Sequence, residues 1–85
     1  MHRATKDLWD CLAKFPKSVQ ESAKKSLDLL NENPKYPSLR FKKVGGLWSI
    51  RLSGGYRALA VECNGVFIWF WAGNHDEYEK TIKKH

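Results

Sequence analysis

The chain has 85 residues, and its 15 lysines and arginines against nine aspartates and glutamates leave a net charge of +6. At this length residues 1–85 form one small domain, which buries only about 60% of the surface its unfolded chain exposes and holds little stability in reserve. A hydrophobic content of 42%, with 13% aromatic residues, excludes a disordered chain.

The first predicted helix covers residues 5–15. Leu8, Cys11, Leu12 and Phe15 recur at helical spacing on one face, and Trp9 widens it. Pro16 interrupts and suits the first turn of a second helix, with Ser18 and Glu21 spaced as a capping box. Val19, Ala23, Leu27 and Leu30 make the second apolar stripe, and residues 31–34, Asn-Glu-Asn-Pro, end it. Two helices joined at Pro16 predict an antiparallel hairpin.

From Pro37 the pattern becomes extended. Residues 39–44 alternate loosely and Gly45-Gly46 marks a turn. Residues 47–53 alternate clearly, with Trp48, Ile50 and Leu52 on one face and Ser49, Arg51 and Ser53 on the other. Gly54-Gly55 is a second turn. Residues 56–63 and 66–72 are apolar enough for central strands, and Asn64-Gly65 between them is a strong hairpin signal. The run 66–72 is also the longest apolar stretch, at seven residues, whereas a membrane-spanning helix needs about 20. No apolar leader follows Met1, so the expectation is a cytoplasmic protein without membrane association. Asn74 and Glu77 are spaced as an N-cap pair opening a last helix. Asp76 and Glu77 sit near its positive end, and Lys80, Lys83 and Lys84 near its negative end. The fold predicted is α+β: an N-terminal helical hairpin packed on a four-stranded antiparallel sheet, followed by a C-terminal helix, with the helices on one face.

The excess charge is concentrated. Residues 39–60 hold Arg40, Lys42, Lys43, Arg51 and Arg57 and no acid. Such a patch favours a polyanion, most simply nucleic acid, through phosphate contacts and counterion release. A solubilising surface, or a dock for an acidic protein, has the same composition. Cys11 and Cys63 are too few for a disulfide framework and read as small buried hydrophobes. His2, His75 and His85 are scattered, so no metal set and no cofactor motif is visible.

The candidate chemistry lies at one end of the sheet. Arg51 projects from the polar face of its strand, Arg57 follows a Gly-Gly-Tyr turn, and His75 opens the last helix. This set suits RNA cleavage by attack of a ribose 2′-hydroxyl on its own 3′-phosphate. That reaction needs a base, a proton donor for the leaving oxygen, and positive charge on the developing phosphorane. Imidazole in general changes charge near neutral pH, so His75 is a candidate acid or base; Arg57 and Arg51 offer planar forks for phosphate. Each residue also has a plainer reading: a helix start for His75, a solvated charge for Arg51. Arg57 shares parity with Leu59 and Val61 on the side expected to be core, which predicts either a strand-end position or a bulge at the Gly-Gly turn. Tyr78 either packs under the sheet or touches a base. The aromatic residues Trp48, Phe67, Trp69, Phe70 and Trp71 are mainly core.

Residues 34–78 run Asn-Pro, then Tyr-Pro-Ser-Leu-Arg-Phe-Lys-Lys, Leu-Trp-Ser-Ile-Arg-Leu, Gly-Tyr-Arg-Ala-Leu and Trp-Phe-Trp-Ala-Gly-Asn-His-Asp-Glu-Tyr. This pattern resembles the RelE/ParE superfamily of bacterial toxins from type II toxin–antitoxin systems, over roughly residues 5–82. The resemblance implies a compact toxin. Its RelE branch cleaves mRNA on the ribosome without a metal, and its ParE branch inhibits DNA gyrase without nuclease residues. In both, a small antitoxin wraps the toxin. Carried over, Arg57 matches the phosphate-stabilising arginine, Arg51 a basic strand residue, His75 a basic catalytic position, and Tyr78 stands near the base-stacking tyrosine. Ser49 stands where RelE has a lysine, and the usual first edge strand is missing or reduced to residues 1–3. The leading expectation is a ribosome-dependent mRNA endonuclease, with His75, Arg57 and Arg51 catalytic and Arg40, Lys42, Lys43, Ser49 and Tyr78 binding RNA. The alternatives are a gyrase inhibitor or an inactive antitoxin-binding module. The expected partners are the ribosome and mRNA, and an antitoxin whose acidic segment covers Arg51 and Arg57.

Overall fold

A computed structural model describes residues 1–83 of the chain; Lys84 and His85, read above as a helix-end charge and a scattered histidine, lie outside them. The elements in order are β1 (His2–Ala4), α1 (Lys6–Leu12), α2 (Lys17–Glu32), a 3₁₀ turn (Pro37–Leu39), β2 (Lys42–Val44), β3 (Leu47–Ser53), β4 (Tyr56–Cys63), β5 (Val66–Asn74) and α3 (His75–Lys83). The sheet has five strands in the order β1-β5-β4-β3-β2. It is mixed, because β1 runs parallel to β5 while the other pairs are antiparallel. The predicted helical hairpin on a four-stranded antiparallel sheet is thereby corrected: β1 precedes the two helices and makes a fifth strand, and each helix packs on the sheet. Three residues carry too little alternation to announce a strand.

Local chemistry explains the element limits. Thr5 caps α1, its Oγ1 accepting from the Leu8 amide at 3.2 Å, an interaction typically contributing about 1 kcal/mol. α1 stops at Leu12, short of the predicted residue 15. Pro16 disfavours helical geometry at Phe15, and the Lys14 and Phe15 amides turn back to the Cys11 and Leu12 carbonyls at 3.3 and 3.0 Å. The Ser18–Glu21 capping box does not form. Pro16 occupies the N-cap, which puts Ser18 inside the first turn, and the Gln20 side chain instead donates to the Phe15 carbonyl at 3.0 Å. The first long strand is shorter than predicted because Arg40 takes a left-handed conformation, φ 48° and ψ 45°. Only Lys42–Val44 then pairs, with β3.

Helices cover both faces of the sheet, not one. On the first face α1 and α2 pack through Leu8, Leu12, Ala23 and Leu30 onto Ile50, Leu52, Ala58, Ala60, Trp69 and Ala72. The three strand alanines let the helices approach closely. On the opposite face α3 packs Tyr78 against Leu47 and Leu59, with Trp71 and Phe70 beside them. Two sequence assignments change. Trp9 is 38% exposed and does not widen the buried face; Cys63 is exposed at the β4–β5 turn, whereas Cys11 is half-buried and packs against the core.

Trp69 ties β1 to this framework. Its side chain is fully buried, and its indole N–H donates to His2 Nδ1 at 3.0 Å. Its carbonyl accepts from the Thr5 amide at 3.0 Å and the Thr5 hydroxyl at 3.2 Å. The His2 ring stacks on Phe67 with centroids 4.8 Å apart. Acceptance at Nδ1 requires the neutral imidazole, with its proton on Nε2. Burial, and then the positive charge of the Met1 amine, hold the His2 pKa below its ordinary 6.5. The unfolded chain therefore binds a proton at His2 before the folded chain does. The stability His2 contributes is complete above about pH 6.5 and is lost as pH falls through the folded value. Thermal unfolding between pH 7.5 and 5 should show a falling Tm below about pH 6.5, and this component should disappear in His2→Phe, which keeps the ring stacking and has no proton to gain.

Candidate functional site

Arg51 on β3, Arg57 on β4 and Gly73 on β5 are direct register partners, forming one row across the sheet. Ser49 and Leu59, two residues along β3 and β4 from the arginines, lie under Tyr78, so the row belongs to the α3 face. The parity of Arg57 with Leu59 is thus as the sequence implied. The sheet has two cores, and Arg57 stands at the open margin of the second. A bulge does lie beside the Gly-Gly turn, between Arg51 and Ser53.

Like charges directly opposite on an antiparallel pair are destabilising. Among the described residues, neither arginine forms an ion pair; His75 Nε2 lies 3.2 Å from Glu79 Oε1, a contact that is ionic only when the imidazole is protonated. Arg57 Cζ sits 5.3 Å from the Tyr78 ring centroid, and Arg57 Nη1 is shielded from solvent with no hydrogen-bond partner. A buried, unpaired guanidinium nitrogen is expensive. An external anion arriving at this row would offset the charge of the two guanidinium groups.

His75 is the first residue of α3, and the predicted cap opens that helix: the Asn74 amide donates to Glu77 Oε1 at 3.2 Å and the Glu77 amide to Asn74 Oδ1 at 2.9 Å. The His75 side chain is 55% exposed, and its ring lies 6.3 Å from that of Tyr78 at 27°. The Tyr78 ring therefore neighbours both Arg57 and His75. With Nε2 facing Glu79, the neutral imidazole keeps Nδ1 as its acceptor.

The remaining candidates divide by face. Lys42 is opposite Ser49, on the Arg57 side, while Lys43 is opposite Trp48, on the other. Both are exposed, as is Arg40 just before them. Ser49 is 0% and Tyr78 5% exposed; they lie beneath the charged row rather than on it. The sequence also passed over Gly73. A Cβ there would lie 2.5 Å from the Trp71 ring and 3.3 Å from Glu77 Cβ, so this glycine lets the indole fold over the strand next to Arg57. A glycine two residues after a tryptophan was the available signal. Two depressions, of about 360 and 340 Å³, are lined by neither His75 nor Arg57; the first lies beside His2 and Trp9, and the second reaches Arg51. Within the site the His75 and Arg51 side chains are exposed and Arg57 is half-buried. No group of three or more His, Cys, Asp or Glu side chains suited to a metal forms among the described residues.

Over residues 17–80 the chain matches the family model of the ParE-like toxin domain. The chain belongs to that family. Among solved structures it is similar to a chain of the RelB-RelE antitoxin-toxin complex from Methanococcus jannaschii, with 17% identity over 92% of this chain and 95% of that one and a TM-score of 0.71. That likeness is one of fold, and with the family match it makes this chain a toxin of the RelE/ParE superfamily. No curated protein matches it.

The packing at Gly73 yields a direct test. Gly73→Ala should destabilise the toxin by about 1–3 kcal/mol, the usual cost of overpacking, measured by urea unfolding. The tryptophan emission of the folded protein should also shift as the Trp71 ring is displaced.

Proposed function

We propose that this toxin cleaves mRNA on the ribosome, with the Arg51–Arg57 row as its phosphate site. The observation that carries the reading is the buried, unpartnered Arg57 Nη1 in a row of two uncompensated guanidinium groups, with an imidazole across the same tyrosine ring. In the reaction His75 takes the proton of a ribose 2′-hydroxyl as that oxygen attacks the adjacent phosphorus. Arg57 stabilises the charge that builds on the non-bridging oxygens, and Arg51 holds the phosphate in register. The bond from phosphorus to the 5′ oxygen breaks, and water supplies the proton to the leaving oxygen. The products are a 2′,3′-cyclic phosphate and a 5′-hydroxyl. Lys42 and Arg40 extend the backbone contact on the margin beside this face, and Lys43 reaches the far side of the β2 edge.

The exposure of His75 and Arg51 supports the ribosome's part. Exposed side chains do not fix a flexible RNA by themselves, and alignment of the attacking oxygen is a large share of the catalytic effect. A larger body that already holds the message would supply it. The similar solved structure is of a toxin with its antitoxin. We take this chain's partner to be an antitoxin whose carboxylates pair with Arg51 and Arg57.

The family match favours a second reading, since the matching model is that of the ParE-like domain. There the same row would bind DNA gyrase, with no RNA chemistry. Primer extension on a defined mRNA, in a reconstituted translation system and on naked RNA, separates the two. Ribosome-dependent cuts are expected, reduced at least about 100-fold by Arg57→Ala and by about 10²–10⁴ by His75→Ala. Intact message at every dose, with supercoiling inhibited, would establish the gyrase reading instead. The partner is tested separately. A peptide carrying the antitoxin's acidic segment should raise the toxin's Tm by mass action, with the gain reduced in Arg51→Ala; an equal gain in both proteins would show that the carboxylates sit elsewhere.

A further inference from the structure

We propose that Tyr78 is a positioning residue that holds the Arg57 guanidinium by its ring face while leaving its charge uncompensated by any carboxylate. Arginine side chains at binding sites are usually held by a carboxylate, which also neutralises them and takes up their donors. No carboxylate pairs with Arg57 among the described residues. What lies against it is the Tyr78 ring, 5.3 Å from Cζ, within range for a cation–π interaction. Such a contact restrains a long, rotamer-rich side chain and keeps its full charge. It explains how Arg57 can be ordered with Nη1 shielded and unpartnered.

The ring is itself well held. Tyr78 is 5% exposed among Leu47 and Leu59, and its hydroxyl donates to the fully buried Ser49 Oγ at 3.4 Å. At that length the hydrogen bond orients the ring more than it stabilises it, and packing does the rest. Ser49 sits opposite both Lys42 and Leu59, so this one register position anchors the support of the charged row. The inaccessible ring also cannot stack on a base, which revises the role that the sequence resemblance suggested for Tyr78. Because the ring of His75 lies 6.3 Å from the Tyr78 ring, Tyr78 adjoins both groups assigned to the chemistry. The role rests on the proposed function for its substrate, and on geometry alone for the anion site.

The test uses the full-length toxin with inorganic phosphate as probe. Nitrogen-15 NMR of the Arg57 Nε–Hε group reports its restraint, and titration reports affinity. Position 78 is changed to Phe, to monofluoro- and trifluorophenylalanine, and to Leu. Fluorination weakens the ring's negative face and barely alters its shape, so the fluorinated proteins keep the fold where Tyr78→Leu loses it. A graded loss is expected along the series, ending about three- to tenfold weaker for phosphate, with the Arg57 signal broadening in step. If RNA is cleaved, kcat should fall along the series at constant KM. Equal affinity and an unchanged Arg57 signal in the Phe and trifluorinated proteins would overturn the proposal, since only packing would then be at work. A graded phosphate response in a protein that never cuts message supports the positioning role and removes the nuclease reading.

Discussion

One extra residue in β5 decides what this sheet presents to each side. Against Leu59 and Ala60 of β4 the register partners on β5 are Trp71 and Trp69, with Phe70 inserted between them. Without that bulge Trp69 and Trp71 would share a face, as residues two apart in a strand do. With it, Trp69 enters the core under α1 and α2 while Trp71 enters the core under α3. Everything after the bulge follows Trp71. Gly73 comes onto the α3 face opposite Arg57, and the chain leaves β5 in the direction that lays Tyr78 over Leu59. The charged row, its tyrosine support and the His75 imidazole all depend on that inserted residue.

The fold can carry an uncompensated charge pair because its stabilising contacts lie elsewhere. A domain of this size has a thin core, yet here the sheet is covered on both faces. The Trp69 indole and carbonyl bind β1 and the start of α1 into one unit. Arg51 and Arg57 sit at the margin of the smaller core, near the Gly54-Gly55 turn, where the guanidinium groups remain partly hydrated. Moved two residues inward, to the Ser49–Leu59 pair, the same charges would be fully desolvated and the cost would be several times larger. The margin is thus the one place in this sheet where two arginines can face each other and still be reached by a ligand.

Much of this was legible in the sequence because it is local. β3 and β4 begin and end where their turn glycines and alternation placed them, and the Asn74–Glu77 cap forms as its spacing implied. The approach of Arg51, Arg57 and His75 to one end of the sheet followed from strand parity and turn position. The features that escaped are those with no local signature. β1 is too short to show a period, and its pairing with β5 spans more than sixty residues of sequence. The α3 layer was hidden because Ser49 and Arg51 alternate with apolar residues and so mimic a solvated face, when Ser49 in fact receives the Tyr78 hydroxyl. The β5 bulge lies inside an unbroken apolar run, where every residue suits either face and no pattern registers the slip.

That last point bears on how such a site arises. In a strand with polar residues on one side, an inserted residue would drive charge into the core, and the protein would not fold. In the run from Val66 to Ala72 the insertion exchanges one aromatic surface for another at small cost, and the benefit appears several residues later, at Gly73 and His75. The apolar character of β5 is therefore more than core filling. It is the tolerance that lets the register shift, and the shift is what brings an imidazole, a tyrosine face and two unpaired guanidinium groups to the same open margin of the sheet.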